Sequence, residues 1–136
     1  MKLNPYLYFD GNCEEAIEFY ADVLGGETKL MMRFSDAPAG SFPIEDEWKN
    51  KIMHATLEFG DGINILLSDE VNPGFSQGNN MHMSLNVPNE EEAEKIYNSL
   101  LEGGTTKMPF GPVFWGGKFG MLIDKFGVQW MVSSEH

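Results

Sequence analysis

Two of the three histidines in this chain lie in short stretches whose polar and apolar residues alternate as in β-strands. His82 stands in NNMHMSLNVPNE, just before a helical pattern. A histidine there can bind a divalent metal, transfer a proton near neutral pH, or form hydrogen bonds from a pocket wall. His54 shares a strand face with Glu58, but four residues of strand span roughly 13 Å, so these two side chains cannot bind one ion directly. The side chains around His82 therefore determine whether it is a metal ligand or a pocket residue.

Alternation along the strands gathers further candidates on one face. In residues 81–87 the even positions are polar and the odd positions apolar, and we expect the apolar side to pack against helices. The opposite face collects Tyr6, Tyr8, His54, Thr56, Glu58, Asn64, His82, Ser84 and Gln129, joined by Phe114 and Trp115 from a glycine-rich turn. Aromatic rings with a few fixed polar groups suit a planar or partly aromatic small molecule. Two simpler interpretations stay open: this face only meets water, and Phe114 and Trp115 pack in the core at a hairpin end.

The helices that position these strands are encoded twice. NCEEAIEFYADVLGG begins at Asn12, and the similar NEEEAEKIYNSLLEGG begins at Asn89. Each copy has helical apolar spacing, an asparagine that can cap the helix, a glutamate three residues on, and a Gly-Gly pair that stops the helix. HATLEFGDGINILLSD, from His54, matches FGMLIDKFGVQWMVSS, from Phe119. The chain is therefore predicted to be an internal duplication.

Each half predicts the order strand, helix, strand, strand, strand. The predicted strands are Pro5–Phe9, Thr28–Phe34, Lys51–Phe59 and Ile63–Ser68, and their counterparts are Met81–Val87, Thr105–Phe110, Lys118–Asp124 and Val128–Ser133. The fold class is α+β, with two βαβββ modules forming a curved, mostly antiparallel sheet that has a concave pocket face and helices on the other face. We expect a single domain over 1–136, with module one at 1–72, a linker at 73–79 and module two at 80–136. About a dozen extra residues of the first half fall in Asp36–Asn50, a candidate mobile lid.

Composition excludes several classes of protein. The net charge of −12 and the scattered distribution of nine Lys and Arg residues argue against nucleic acid as a partner. No apolar run approaches membrane length, and the first residues lack the pattern of a secretory signal. Cys13 is the single cysteine, so no internal disulfide can form, and we interpret it as a buried small residue rather than a nucleophile. A cytoplasmic location is expected.

The chain resembles the vicinal oxygen chelate superfamily, which includes glyoxalase I, extradiol dioxygenases and bleomycin-resistance proteins, and within it the PhnB-like branch. The matching segments are PYLYFDGNCEEAIEFY, KIMHATLEFGD, LLSDE and FWGGKFGMLIDKFGVQWMV, together with the GG after each helix. The resemblance covers nearly the whole chain and implies a small-molecule site on the concave face and a homodimer. Members of this branch often carry a 3-demethylubiquinone methyltransferase-like label, which no glycine-rich nucleotide fingerprint supports here.

The resemblance also implies four positions for metal ligands, on the first and fourth strands of each module. Carried onto this chain through its own repeat they fall at Asn4, Leu66, His82 and Met131, with either Pro5 or Asn4 at the first of them. Only His82 is a strong donor, and divalent transition metals generally need three or more strong protein donors. We therefore expect no cofactor, with a divalent metal at a relocated site as the alternative.

Two functions follow. The first is the binding of a small organic molecule in the concave cavity without a catalytic metal. The alternative is a lyase, isomerase or dioxygenase that uses a relocated metal, or His82 with Glu58 as acid and base. A third possibility is a scaffold whose main partner is a second copy of itself. The sequence leaves open whether any reaction is catalysed and what the ligand is.

Overall fold

The predicted strand–helix–strand–strand–strand order is confirmed in both halves. A computed structural model describes residues 1–41, 43–60, 62–71 and 75–134. Its elements are β1 (Tyr6–Phe9), α1 (Cys13–Leu24), β2 (Glu27–Arg33), β3 (Ile52–Glu58), β4 (Asn64–Asp69), β5 (Met83–Val87), α2 (Glu90–Leu101), β6 (Thr105–Pro112), β7 (Lys118–Ile123) and β8 (Gln129–Ser134). The chain divides into two compact units, Met1–Phe75 and Ser76–His136, which are called module one and module two below. Pro73 and Gly74 of the predicted linker lie outside the described residues.

The strands form two four-stranded mixed sheets. Their orders are β1-β4-β3-β2 in module one and β5-β8-β7-β6 in module two. The pairs β1–β4 and β5–β8 are parallel, whereas the other pairs are antiparallel. The α+β class with mostly antiparallel pairing is therefore confirmed, and hydrogen bonding arranges the strands as one sheet per module.

One face of each sheet packs against the helix of its own module. In module one the buried apolar strand residues are Phe9, Ile52, Ala55, Leu57, Ile65 and Leu67, and α1 buries Cys13, Ala16, Ile17 and Tyr20. In module two the buried apolar strand residues are Val87, Leu122, Trp130 and Val132, and α2 buries Ala93, Tyr97 and Leu100. Helix α1 contacts β2, β3 and β4, and α2 contacts all four strands of its sheet. The odd-even alternation predicted for β5 and β8 thus directs the apolar residues to the helix side, as expected.

The two helices begin differently. In α2 the Asn89 side chain accepts a hydrogen bond from the Glu92 backbone N–H at 2.9 Å, as predicted. In α1 the prediction is wrong, because the Asn12 side chain makes no capping hydrogen bond. The buried Asp69 carboxylate at the end of β4 instead accepts from the backbone N–H groups of Cys13 and Ile52, both at 2.9 Å. A buried carboxylate therefore ties the start of α1 to the start of β3.

Cys13 lies fully buried at this junction. Burial, with the nearby Asp69 charge, raises the pKa of the Cys13 thiol. The predicted burial of Cys13 is therefore confirmed, and a thiol with a raised pKa is a poor nucleophile. Among the described residues, neither helix is long and apolar enough to cross a bilayer.

Candidate functional site

The open face of module one carries a cluster of aromatic and polar side chains, which is called the tyrosine–histidine cluster (Tyr6, Tyr8, His54 and Ser68). The Tyr6 hydroxyl lies 3.2 Å from His54 Nδ1 and donates to Ser68 Oγ at 3.0 Å. The ring of Tyr6 lies 5.0 Å from the ring of Tyr8 and 5.7 Å from that of His54, measured between centroids. Strands β1, β3 and β4 bring these residues together, since Tyr8 is the register partner of Ser68.

The cluster combines fixed polar atoms with accessible rings. Ser68 is buried, whereas Tyr6 is 39% and Tyr8 is 53% exposed. Burial raises the pKa of Tyr6, and the hydrogen bond to Ser68 opposes that rise only in part. Tyr6 is therefore a neutral phenol that donates and accepts hydrogen bonds rather than a base. Because one hydroxyl carries one proton, His54 Nδ1–H donates to the Tyr6 oxygen whenever Tyr6 donates to Ser68.

The remaining module-one candidates lie on the same face. Thr56 is the register partner of Leu66, and Glu58 is the register partner of Asn64. Glu58 lies 3.8 Å from the Lys29 ammonium, which also pairs with Glu27 at 3.2 Å. The Asn64 Oδ1 atom is buried and has no hydrogen-bond partner among the described residues.

In module two His82 belongs to a second group, called the lysine–histidine cluster (His82, Lys107 and Gln129). The first strand of this module was predicted over Met81–Val87, but β5 begins at Met83, so His82 lies one residue before the strand. Lys107 Nζ lies 3.3 Å from His82 Nε2 and donates to Gln129 Oε1 at 2.9 Å, while Gln129 Nε2 donates to the Met81 carbonyl at 2.7 Å. An ammonium can only donate, so His82 Nε2 is the acceptor in this contact. Gln129 is 9% exposed, so it is more buried than an open polar face implies.

Lys107 reaches this group because it occupies a β-bulge, and the sequence alone does not identify it. The β6–β7 register passes from Thr106↔Leu122 to Met108↔Met121, which leaves Lys107 as the extra residue. The β2–β3 register has the same interruption, and there Lys29 is the extra residue. Simple alternation assumes an uninterrupted strand and so misplaces both lysines. The available signal was the Thr-Lys pair that occurs at the equivalent place in each half of the repeat.

The centre of each open face is apolar. In module one, register partners place Tyr6, Leu66, Thr56 and Leu30 in one row across the four strands. In module two the corresponding row is Ser84, Met131, Met121 and Met108. Methionine side chains adapt to irregular ligands. The family positions had already pointed to Leu66 and Met131, whereas Leu30, Met108 and Met121 were not predicted, because the site residues were expected to be polar or aromatic.

The donor set at the four family metal positions does not fit a divalent metal. The pairs Tyr6↔Leu66 and Ser84↔Met131 align Tyr6 of β1 with Ser84 of β5, so Asn4 is the counterpart of His82. Leu66 and Met131 lie at the middle of the rows just described. An alkyl and a thioether group cannot replace the His, Asp or Glu donors that hard or borderline divalent ions need. Over the described ranges, no three His, Cys, Asp or Glu residues lie close enough together to hold an ion.

Phe114 and Trp115 form the tip of the β6–β7 hairpin. They are 97% and 60% exposed, and their rings meet edge to face at 4.9 Å. The core-packing interpretation of this pair is therefore wrong. The pair lies in module two with the lysine–histidine cluster, and its role in ligand binding remains a prediction.

The base of the predicted lid, Asp36–Asn50, is tied to module one. The Arg33 guanidinium donates to both Glu14 carboxylate oxygens, at 2.9 and 2.6 Å, and to the Asn50 carbonyl at 2.7 Å. This ion pair borders a charged cavity of about 350 Å³ at the N-terminal end of α1. Within the segment, Asp46–Trp48 forms a short 3₁₀ turn, and Phe42 lies outside the described residues. Lid movement stays a prediction.

Comparisons with known proteins agree over nearly the whole chain. A model of the glyoxalase/bleomycin resistance protein/dioxygenase superfamily matches residues 2–132. Protein YjdN of Escherichia coli is 31% identical, with 98% of this chain and 95% of YjdN covered. The crystal structure of protein PA1353 from Pseudomonas aeruginosa is 43% identical, covers 99% of this chain and 98% of that one, and has a TM-score of 0.87. The PhnB protein from Bacillus cereus is 28% identical, with 98% and 99% covered and a TM-score of 0.82.

Proposed function

Because the chain belongs to the glyoxalase/bleomycin resistance protein/dioxygenase superfamily, we propose that it binds a small planar organic molecule without a catalytic metal. The proposed surface is the open faces of the sheets, which the family resemblance predicts to line a concave cavity. The likeness to a PhnB protein supports the PhnB-like branch. The observation that carries the proposal is the tyrosine–histidine cluster.

The physical case rests on what Tyr6, Tyr8 and His54 offer together. Two accessible phenol rings on one strand leave apolar surface in water that a flat ligand would cover, at about 25 cal/mol for each Å² removed from solvent. Offset or edge contacts between rings add roughly 0.5–1.5 kcal/mol. The Tyr6 hydroxyl is held between His54 and the buried Ser68, so its oxygen is positioned to accept a hydrogen bond from a ligand without first being ordered. The cluster has the composition of a small-molecule site.

The absence of a catalytic metal is proposed from the donor set. The central residues of the open faces, Leu66 and Met131, favour contact with carbon-rich parts of a ligand over ligation of a cation. At the tyrosine–histidine cluster, the orientation of the ligand then depends on hydrogen bonds with Tyr6 and His54.

A thermal-shift screen in the presence of EDTA tests this proposal. We expect at least one planar organic compound to raise the melting temperature, since a ligand at 100 times its Kd stabilises the fold by about 2.7 kcal/mol. Replacing Tyr8 by Leu should weaken that ligand several-fold, whereas Ile63→Ala, at an exposed apolar residue before β4, should not. Failure of a broad library to stabilise the protein would count against the proposal.

The alternative is a lyase, isomerase or dioxygenase, with His82 and Glu58 as acid and base or with a relocated metal. Hydrogen-bonded tyrosine and histidine side chains can also transfer protons, and the Tyr6–His54 contact is the observation that favours acid–base chemistry. Both predicted catalytic groups have a lysine beside them, Lys107 at His82 and Lys29 at Glu58. Elemental analysis of protein purified without chelator discriminates: near-stoichiometric iron, zinc, nickel or manganese would favour the alternative.

We further propose that the protein is a cytoplasmic homodimer, as the family resemblance implies. Light scattering at several protein concentrations tests the dimer. A monomeric mass throughout would remove it.

A further inference from the structure

We infer that the lysine–histidine cluster of module two binds an oxyanion, the carboxylate or phosphate group of a small molecule. The inference rests on the proposed function and adds a charge requirement to it. The observation behind it is that two equivalent lysines, Lys29 and Lys107, have opposite surroundings.

Module one neutralises its bulge lysine. Lys29 pairs with Glu27 at 3.2 Å and with Glu58 at 3.8 Å. Glu27 and Glu58 are register partners of each other, so they flank the bulge from two strands. An anionic ligand would have to compete with two carboxylates for this ammonium.

Module two has lost both carboxylates. The register pair that corresponds to Glu27↔Glu58 is Thr105↔Ile123. In the part of the chain that the structure describes, Lys107 forms no ion pair with a carboxylate. Its partners, His82 Nε2 and Gln129 Oε1, carry no negative charge. The positive charge of Lys107 is therefore not offset by a carboxylate of the described residues.

The ammonium is also held in place. It has three N–H donors, and the contacts with His82 and Gln129 use two of them. Gln129 is itself fixed by its bond to the Met81 carbonyl and by burial. The third donor of the exposed Lys107 can therefore reach a ligand oxygen, and the charge-assisted hydrogen bond that forms is stronger than a neutral one.

Local geometry has to supply this recognition, because the chain as a whole repels anions. Its net charge is −12. Long-range steering of an anion to the surface is unfavourable, and the contact weakens further as salt screens it. An oxyanion that binds here does so through the fixed donor, which makes Lys107 the residue to test.

The test is an NMR titration with three probes: benzoate, its neutral analogue benzamide, and inorganic phosphate. The signals to follow are the Gln129 side-chain amide and the backbone amides of Met83 and Ser84. We expect benzoate to bind at least tenfold more tightly than benzamide, and phosphate to shift the same signals. Replacing Lys107 by Gln should weaken benzoate about tenfold, whereas the matched charge removal Lys95→Gln, on the exposed side of α2, should leave it unchanged.

A second variant keeps the lysine and supplies the missing carboxylate. Ile123→Glu gives module two the residue type of Glu58, and it should abolish phosphate binding by occupying Lys107. Exchanging both module-one carboxylates, Glu27→Thr with Glu58→Ile, should create a phosphate-dependent shift near Lys29. Because these variants add or remove carboxylates and keep both lysines, they test the inference independently of Lys107→Gln.

The outcomes separate the two proposals. If benzoate and benzamide bind equally and Lys107→Gln affects neither, the oxyanion inference is overturned and the small-molecule site stands. If benzoate binds through Lys107 no more tightly than phosphate does, the inference stands and the aromatic part of the proposed function fails. If none of the three probes shifts the cluster signals, there is no oxyanion site here.

Discussion

The two modules share a backbone plan down to the bulge in the strand after each helix, yet their open faces differ in chemistry. Module one presents two tyrosines and a histidine, and its bulge lysine is neutralised. Module two presents a methionine row and a lysine that contacts an imidazole and an amide instead of carboxylates. A duplicated scaffold can therefore retain its strand register while the side chains on one face diverge. The fold is common to both halves, and the side-chain chemistry of the open face is specific to each.

The modules also use a buried aspartate in different ways. In module one Asp69 links the first turn of α1 to β3 through two backbone N–H groups. In module two Asp124 follows β7 and accepts from the backbone N–H groups of Phe126 and Val128 and from the Trp130 indole at 2.8 Å. One carboxylate replaces a helix cap, whereas the other closes a β-turn onto the core. The same residue type therefore accepts hydrogen bonds from a helix start in module one and from a turn and an indole in module two.

Replacing Asp124 by Asn is expected to have the largest effect. An amide has one oxygen and one N–H₂ group, so either the Trp130 indole or the backbone N–H groups of Phe126 and Val128 lose the carboxylate oxygen that now accepts from them. We expect a loss of about 3 kcal/mol in the free energy of unfolding, measured by urea titration.

Asp69→Asn should lower the free energy of unfolding by about 2 kcal/mol, since it loses one backbone donor. The exposed Asp22→Asn is the control, and equal costs for all three would show that these carboxylates are not structural.

Removing the Tyr6 hydroxyl is expected to have a moderate effect confined to module one. Tyr6→Phe leaves the buried Ser68 hydroxyl and His54 Nδ1 without their shared partner, which should cost about 1 kcal/mol of stability. Tyr8→Phe is the matched control, because its hydroxyl takes no part in those two hydrogen bonds. Urea unfolding of both variants measures the difference. A Tyr6→Phe protein as stable as Tyr8→Phe would mean that the cluster is held by ring packing alone.

The sequence predicted most of the secondary structure, because the positions of strands and helices depend on short-range patterns. Two-residue alternation located the strands to within about two residues, and the repeated Asn12 and Asn89 segments located both helices. The α1 cap was wrong because Asp69, which replaces it, is distant in the chain and no local pattern reports it. Lys107 was missed for a related reason: a bulge changes which face a residue points to, and it is defined only by the partner strand. Register, and not propensity, decides the composition of the site.

The smallest expected effect concerns an ion pair that only module one possesses. Arg33 binds Glu14, and the position that corresponds to Arg33, when the two bulge lysines are aligned, is Gly111, so module two cannot form this pair. The hydrogen bond from Arg33 lowers the pKa of Glu14 below its ordinary value of 4.5. A carboxyl with a lowered folded pKa contributes stability at pH values above its unfolded pKa, and that contribution disappears as the pH falls through the folded value.

Glu14→Gln should therefore be less stable than the parent protein at pH 7, by at most about 1 kcal/mol because the pair is partly solvated. The difference should shrink as the pH falls below 4.5 and vanish once Glu14 is protonated in the folded state. Urea unfolding of both proteins at pH 7 and at acidic pH measures it, with Glu94→Gln on α2 as the control. A difference that is the same at both pH values would show that Glu14 acts through packing, and the charge asymmetry between the modules would then be restricted to their bulge lysines.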